Sequence, residues 1–138
     1  MKTWIALLLA LCLPFAALAN EEEKKEGEEG AAPKVAYYNL VPALVGNFGP
    51  GPKLKFFKAD IALRVTGTEA EEAVEYHEPL IRNQLVMLFS QQTEESVGSQ
   101  EAKEALRQEA LKQVQAALNQ ETGKPIVEDL LFNNLIIQ

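Results

Sequence analysis

His77 is the only histidine in the chain, and Glu75, Glu78 and Arg82 lie close to it in sequence. A histidine among carboxylates is the residue set of a general base or of a mixed metal site. The spacing argues against both. On a helix, residues one and two apart face different sides, so neither glutamate would share a ligand with His77. A Ser-His-Asp arrangement would need His77 with Ser90, Ser96 or Ser99 and with Asp60 or Asp129, and none of these serines sits in a G-x-S-x-G turn. Gly49-Pro50-Gly51-Pro52 is rich in glycine, but its prolines remove the N–H groups that would cradle a phosphate; it reads as a hairpin turn or a projecting loop. No catalytic residue, metal site or cofactor site is expected, and a hydrolase centred on His77 is the least supported reading. Pro79 has no N–H to bond back to Glu75, so a helix there must kink, or end near His77 and restart with Pro79 in its first turn. His77, Pro79 and Arg82 are accordingly expected as hinge and contact residues, with Arg82 suited to an intramolecular ion pair or a subunit contact.

The elements around these residues can be read from periodicity. Val35 to Val45 is apolar and aromatic and reads as a strand interrupted at Pro42, followed by a turn through Gly46–Pro52. From Lys55 to Thr66, Phe57, Ala59, Ile61, Leu63 and Val65 alternate with Lys58, Asp60, Arg64 and Thr66, the period of a half-buried strand. Thr68 precedes Glu71 by three residues, the spacing of a capping box, and predicts a helix start. Val74, Ile81, Leu85 and Leu88, with Leu80 and Phe89 beside them, form its core-facing stripe. Ser99 is the expected N-cap of a second helix over Gln100–Asn119. Its buried stripe is Leu106, Ala110, Leu111, Val114, Ala117 and Leu118, and its wet face is Glu101, Lys103, Glu104, Arg107, Gln108 and Lys112. Gly123-Lys124-Pro125 ends the helical region. Ile126 to Gln138 is apolar on both faces, as in a central strand covered on both sides. The order β-β-α-α-β predicts an α+β domain, a small, mainly antiparallel sheet packed against two main helices.

With 138 residues, of which 47% are hydrophobic, the chain can build one core. Its 13 basic and 20 acidic residues give a net charge of −7, which repels phosphate backbones, so nucleic acid is not an expected partner. Residues 1–19 have the parts of a secretory signal: Lys2, an apolar stretch, and the small residues Ala17 and Ala19 around Leu18, with cleavage expected after Ala19. The alternative is a short retained membrane anchor, although Ile5 to Ala19 is shorter than the roughly 20 residues a spanning helix needs. Cys12 is the only cysteine, and bulky Leu11 before it argues against lipid attachment. Cleavage would leave no thiol, and stability would rest on the core without disulfides. Residues 20–34 hold six glutamates, two glycines and a proline with no large apolar side chain, the composition of a flexible acidic spacer. The folded domain is expected over 35–138.

In this order the segments resemble the family of flagellar basal-body-associated FliL proteins. The resemblance runs from Tyr37 to Gln138 and is carried by YYNLVPALVGNF (37–48), KFFKADIALRV (55–65), HEPLIRNQLVMLFSQQT (77–93), GSQEAKEALRQEAL (98–111) and VEDLLFNNLIIQ (127–138). It implies a periplasmic, non-enzymatic domain similar in fold to the stomatin-like (SPFH) scaffolding domains. Such a domain would sit at the inner-membrane basal body, bind the periplasmic segment of the motor stator and support torque, swimming and swarming motility and chemotaxis. Assembly into a homo-oligomeric ring follows from the same resemblance. The Gly49–Pro52 loop and the exposed face of the Thr68 helix are the expected contact elements of a head-to-tail repeat. Family members usually begin with a short tail and a full-length membrane helix, whereas this chain has a short apolar segment ending in Ala-Leu-Ala. The alternative is a periplasmic envelope scaffold or binding protein of the same fold with no motor role.

Overall fold

The computed structural model describes residues 32–138. The expected signal or anchor with Ala17 and Ala19, Cys12, and most of the acidic spacer lie outside the described residues. The elements are β1 (Val35–Asn39), β2 (Leu44–Phe48), β3 (Lys55–Thr66), α1 (Thr68–Tyr76), α2 (Glu78–Ser90), α3 (Glu94–Val97), α4 (Gln100–Thr122) and β4 (Asp129–Ile137).

The alternating strand β3 is the centre of an antiparallel sheet. β1 pairs with its C-terminal half, from Val35 opposite Thr66 to Asn39 opposite Ala62. β2 pairs with its N-terminal half, from Leu44 opposite Ala59 to Phe48 opposite Lys55. β4 runs along Phe57–Arg64. A strand has only two edges, so β1 and β2 must share the one that β4 leaves, and four strands occupy three lanes. The interruption expected at Pro42 therefore splits one strand into two collinear pieces. The chain takes five steps from Asn39 to Leu44 where β3 takes three from Ala62 to Ala59, and the two extra residues bulge out around the cis Val41–Pro42 bond. Leu40 N–H still reaches Ile61 C=O at 2.9 Å.

Two expectations about this sheet need correction. The turn expected from Gly46 begins only after Phe48, because Gly46 is the strand residue that lies under the Phe57 ring. Ile126–Gln138 is not a central strand: β4 pairs with β3 alone, and its Ile136 is exposed. Its double-sided apolar pattern reflects one face on the core and another on an open sheet face. An extra residue, Asn133, also bulges out of it, since Asp60 pairs with Asn134 and Ile61 with Phe132.

The helices cover one face of the sheet. Phe57, Ala59, Ile61, Leu63 and Val65 pack with Val74, Ile81, Leu85, Leu88 and Phe89 of α1 and α2, and with Leu106, Ala110, Val114 and Leu118 of α4. Phe57 stacks on Phe89 with ring centroids 5.0 Å apart. Each of these larger side chains, the alanines aside, contributes about 1.5–3 kcal/mol on burial. The capping box expected at Thr68 does not form. Gly67 takes the N-cap position with φ 92°, because its N–H is held by Lys34 C=O at the end of the β1–β3 ladder, and Thr68 falls inside the helix. A reciprocal cap occurs instead between Thr93 and Ser96, at the start of the unforeseen short helix α3. Ser99 caps α4 as expected, accepting from Ala102 N–H at 3.0 Å, and α4 ends on left-handed Gly123. The return to β4 passes through Ile126 at φ 60°, where Val127 N–H bonds Pro125 C=O at 2.6 Å. That γ-turn holds a β-branched residue where few are found.

Candidate functional site

The helix that carries His77 does break there: α1 ends at Tyr76 and α2 begins at Glu78 with Pro79 in its first turn. Pro79 suits that position because its missing N–H would have no helical partner. His77 itself stands edge-on to Tyr76, centroids 4.9 Å apart, and no side-chain hydrogen bond joins it to Glu75 or Glu78 among the described residues.

The polar cluster at this break is built from Glu78 and Arg82. They are four residues apart on α2, so the Arg82 Nε–H reaches Glu78 Oε1 at 2.7 Å. The Arg82 Nη2 donates to the Pro42 carbonyl at 2.7 Å, clamping the bulge between β1 and β2. The Tyr38 hydroxyl, from β1, donates to Glu78 Oε2. One carboxylate thus gathers a strand, a bulge and a helix start. Its charge stabilises the neutral phenol: the hydrogen bond to Glu78, then burial, push Tyr38 up to about 12. The same bond, and the one from Arg82, hold the Glu78 carboxyl below its usual range.

A second cluster was not legible in the sequence. Arg107 reads as part of the wet face of α4, yet its guanidinium is half-buried and donates in three directions. It bonds Glu104 through Nε at 2.8 Å and Nη2 at 2.5 Å, Asp129 Oδ1 at 2.6 Å, and Leu130 C=O at 2.9 Å. The fork geometry of arginine suits such multiple acceptance. Glu104 is pushed down to about 2, first by the Arg107 hydrogen bonds and then by Gln108, while its carboxylate pushes the Arg107 guanidinium up. A third strut crosses the open face, where Thr66 donates to Glu128 at 2.7 Å; Arg64 Nε lies 3.5 Å from the same carboxylate, a charge contact rather than a hydrogen bond.

These charges brace the protein's own elements. Among the described residues no group of three or more His, Cys, Asp or Glu side chains comes together to hold a metal ion. The Gly49–Pro52 loop, expected as a hairpin connection, joins β2 to β3; Gly49 and Gly51 adopt φ 96° and 129° with open space around them.

The side of the sheet away from the helices is the other distinctive surface. Cross-strand register puts Val35, Tyr37, Val45, Phe56 and Ile136 on it together, 38% to 62% exposed, beside Lys58 and Arg64. Of these residues Ile136 was expected to be covered, through the reading of Ile126–Gln138 as a central strand, whereas it is exposed.

The fold and its clusters define a class: a small α+β domain with helices on one face of a three-lane sheet, an open opposite face of mixed apolar and charged side chains, and ion pairs that brace the elements. Comparison with known proteins narrows this. The profile described as "Flagellar basal body-associated protein FliL" matches residues 37–138, nearly the whole folded unit Pro33–Gln138. A relative named "Flagellar protein FliL", from Aquifex aeolicus (strain VF5), is 30% identical over 113 residues, which cover 78% of this chain and 68% of the relative. The chain belongs to the FliL family of flagellar basal-body-associated proteins. Among the described residues no helix is long and apolar enough to cross a membrane.

Proposed function

We propose that this domain is a non-enzymatic accessory of the flagellar motor. It stands on the periplasmic side of the inner membrane at the basal body, contacts the periplasmic segment of the stator, and supports torque, swimming and swarming motility and chemotaxis. The observation that carries this reading is the family match, which covers residues 37–138, from within β1 through β4. The open sheet face supports it, since it presents the large apolar side chains Val35, Tyr37, Val45, Phe56 and Ile136 among charged ones, a mixture suited to a protein contact. Assembly into a ring, and a likeness to stomatin-like domains, belong to the same proposal. Within it, the Gly49–Pro52 loop, His77 and Arg82 are contact positions. Residues 1–19 supply the export signal or a short anchor, and mass spectrometry of the mature protein distinguishes the two by whether Asn20 is the first residue.

The test is a deletion strain with a fluorescent fusion restored at the native locus. Slower swimming in viscous medium, smaller swarms and fluorescent foci at basal bodies are expected. Normal motility under load together with diffuse fluorescence would overturn the reading. A Phe56→Asp allele addresses the open face: it should reproduce much of the deletion defect while the protein remains folded and abundant.

A further inference from the structure

One edge of the sheet consists of two five-residue pieces, β1 and β2, that are held in different ways. Both pair with β3 alone. β2 buries Leu44 and Phe48 in the core, and Leu40, just past β1, is buried as well. No residue of β1 is: Val35, Tyr37 and Asn39 are exposed, and Ala36 and Tyr38 are half-buried against the core. Among the described residues two side-chain hydrogen bonds add to its backbone pairing. The Tyr38 hydroxyl donates to Glu78, and Asn133 Nδ2 donates to Asn39 Oδ1 at 3.2 Å across the open face.

The boundary between the two pieces is a clamp. Leu40 sits in the core with its N–H on Ile61 C=O, and Arg82 Nη2 holds the Pro42 carbonyl at 2.7 Å. Arg82 is itself positioned by Glu78 through Nε, a bond that does not involve Tyr38. Nor does β3 depend on β1 for its seat. Leu63 and Val65 point at the helices, perpendicular to the ladder, and β4 pairs the other edge of β3 from Phe57 to Arg64. A short edge strand with no buried side chain, beyond which the chain is pinned, has the makings of a unit that opens separately from the global fold.

We propose that β1 is a releasable strap: residues 35–39 leave β3 as one unit and swing about Leu40, while β2, β3, β4 and the helices from α2 onward keep their arrangement. Release adds five residues, about 17 Å of extended chain, to the segment that precedes the domain. The domain thereby changes its distance from whatever holds that segment without unfolding. The bond from Gly67 N–H to Lys34 C=O goes with the strap, so the first turn of α1, which Gly67 caps, is the one further part that loosens. The inference does not rest on the motor reading, because it concerns the opening of a single chain.

The ladder provides the test, since alternate amides of one strand answer to different partners. Leu40 N–H bonds Ile61 C=O and Gly67 N–H bonds Lys34 C=O, so the odd-numbered residues of this half of β3 face β1, and Leu63 and Val65 exchange bonds with Tyr38 and Ala36. Ala62 and Arg64 face β4, and Ala59 faces Leu44 of β2. Native-state hydrogen exchange of the full chain in mild detergent, read by NMR, should give Ala36, Tyr38, Leu63 and Val65 one shared protection factor. That value should lie about a hundredfold below those of Ala59, Ala62 and Arg64 and respond little to low urea. Tyr38→Phe removes the bond to Glu78 and should speed exchange of Ala36, Leu63 and Val65 about tenfold, leaving Ala59 unchanged. Val35→Cys with Thr66→Cys, placed at directly opposed positions in a Cys12→Ser chain, pins the strap when oxidised. Leu63 and Val65 should then be as slow as Ala62, and reduction should release them. Uniform protection along β3 overturns the proposal. So does loss of protection confined to Ala36, which is end fraying, or a fast set that includes Ala59, which puts the boundary beyond the clamp. Fast exchange at Leu63 and Val65 in the oxidised variant overturns it as well.

Discussion

Gly46→Ala tests the tightest packing in the sheet. Gly46 lies opposite Phe57 in the β2–β3 ladder, and a Cβ at this position would stand 2.8 Å from both Cε1 and Cζ of the ring. Non-bonded carbons rest at about 3.5–4.0 Å, so ring or strand must yield by about 1 Å. The ring has little room. Phe57 is fully buried, stacks on Phe89 at 5.0 Å, and Phe89 leans in turn on Phe132 at 5.7 Å. Overpacking of this kind costs about 1–3 kcal/mol. Restricting the unfolded chain by removing a glycine offsets about 0.4–1 kcal/mol. A net loss of about 1–2 kcal/mol is expected, read in urea denaturation as a lower midpoint with an unchanged slope. In a Phe57→Leu background the two ring carbons are gone, and Gly46→Ala should become neutral or mildly stabilising. Equal losses in the two backgrounds, or no loss in the parent, would refute the argument.

Other expectations follow from the clusters. Arg107→Lys keeps the charge but loses the fork to Glu104, Asp129 and Leu130; it should destabilise by about 1–2 kcal/mol in the same assay. Glu78 sits below its usual value when folded, so its contribution is complete above the unfolded carboxyl value and is lost as pH falls through the folded one; Glu78→Gln should flatten the acid limb of a stability–pH profile. Tyr38 is raised from 10.0 to about 12, so its contribution is complete below pH 10 and is lost on rising toward 12. Tyr38→Phe should remove that alkaline loss, and with it the tyrosine that ionises near 12 in an ultraviolet titration. Ser99→Ala removes the cap of α4 and should cost about 1 kcal/mol, visible as a drop of several degrees in the thermal midpoint.

Much of the fold was legible wherever a local rule decides the outcome. Alternation from Phe57 to Val65 identified the central strand because side chains in a strand point to opposite faces whatever surrounds them. The stripes through Ile81–Leu85–Leu88 and Leu106–Ala110–Val114, the Ser99 cap, the Gly123 stop and the break before Pro79 are local in the same sense. Family membership was legible too, since it rests on the order of such segments. What needed the tertiary structure was every question of which partner a group meets. Nothing in the spacing of Thr68 and Glu71 says that Lys34 will hold Gly67 and take the cap position. Nor does the exposed-looking helix position of Arg107 disclose an aspartate 22 residues away in sequence. The apolar residues of β4 are the same in a central strand and an edge strand, and only the pairing leaves one side of its backbone open. Helical and strand periods are properties of the backbone and are written in the sequence, whereas edges, open faces and ion-pair partners depend on distances between segments far apart along the chain.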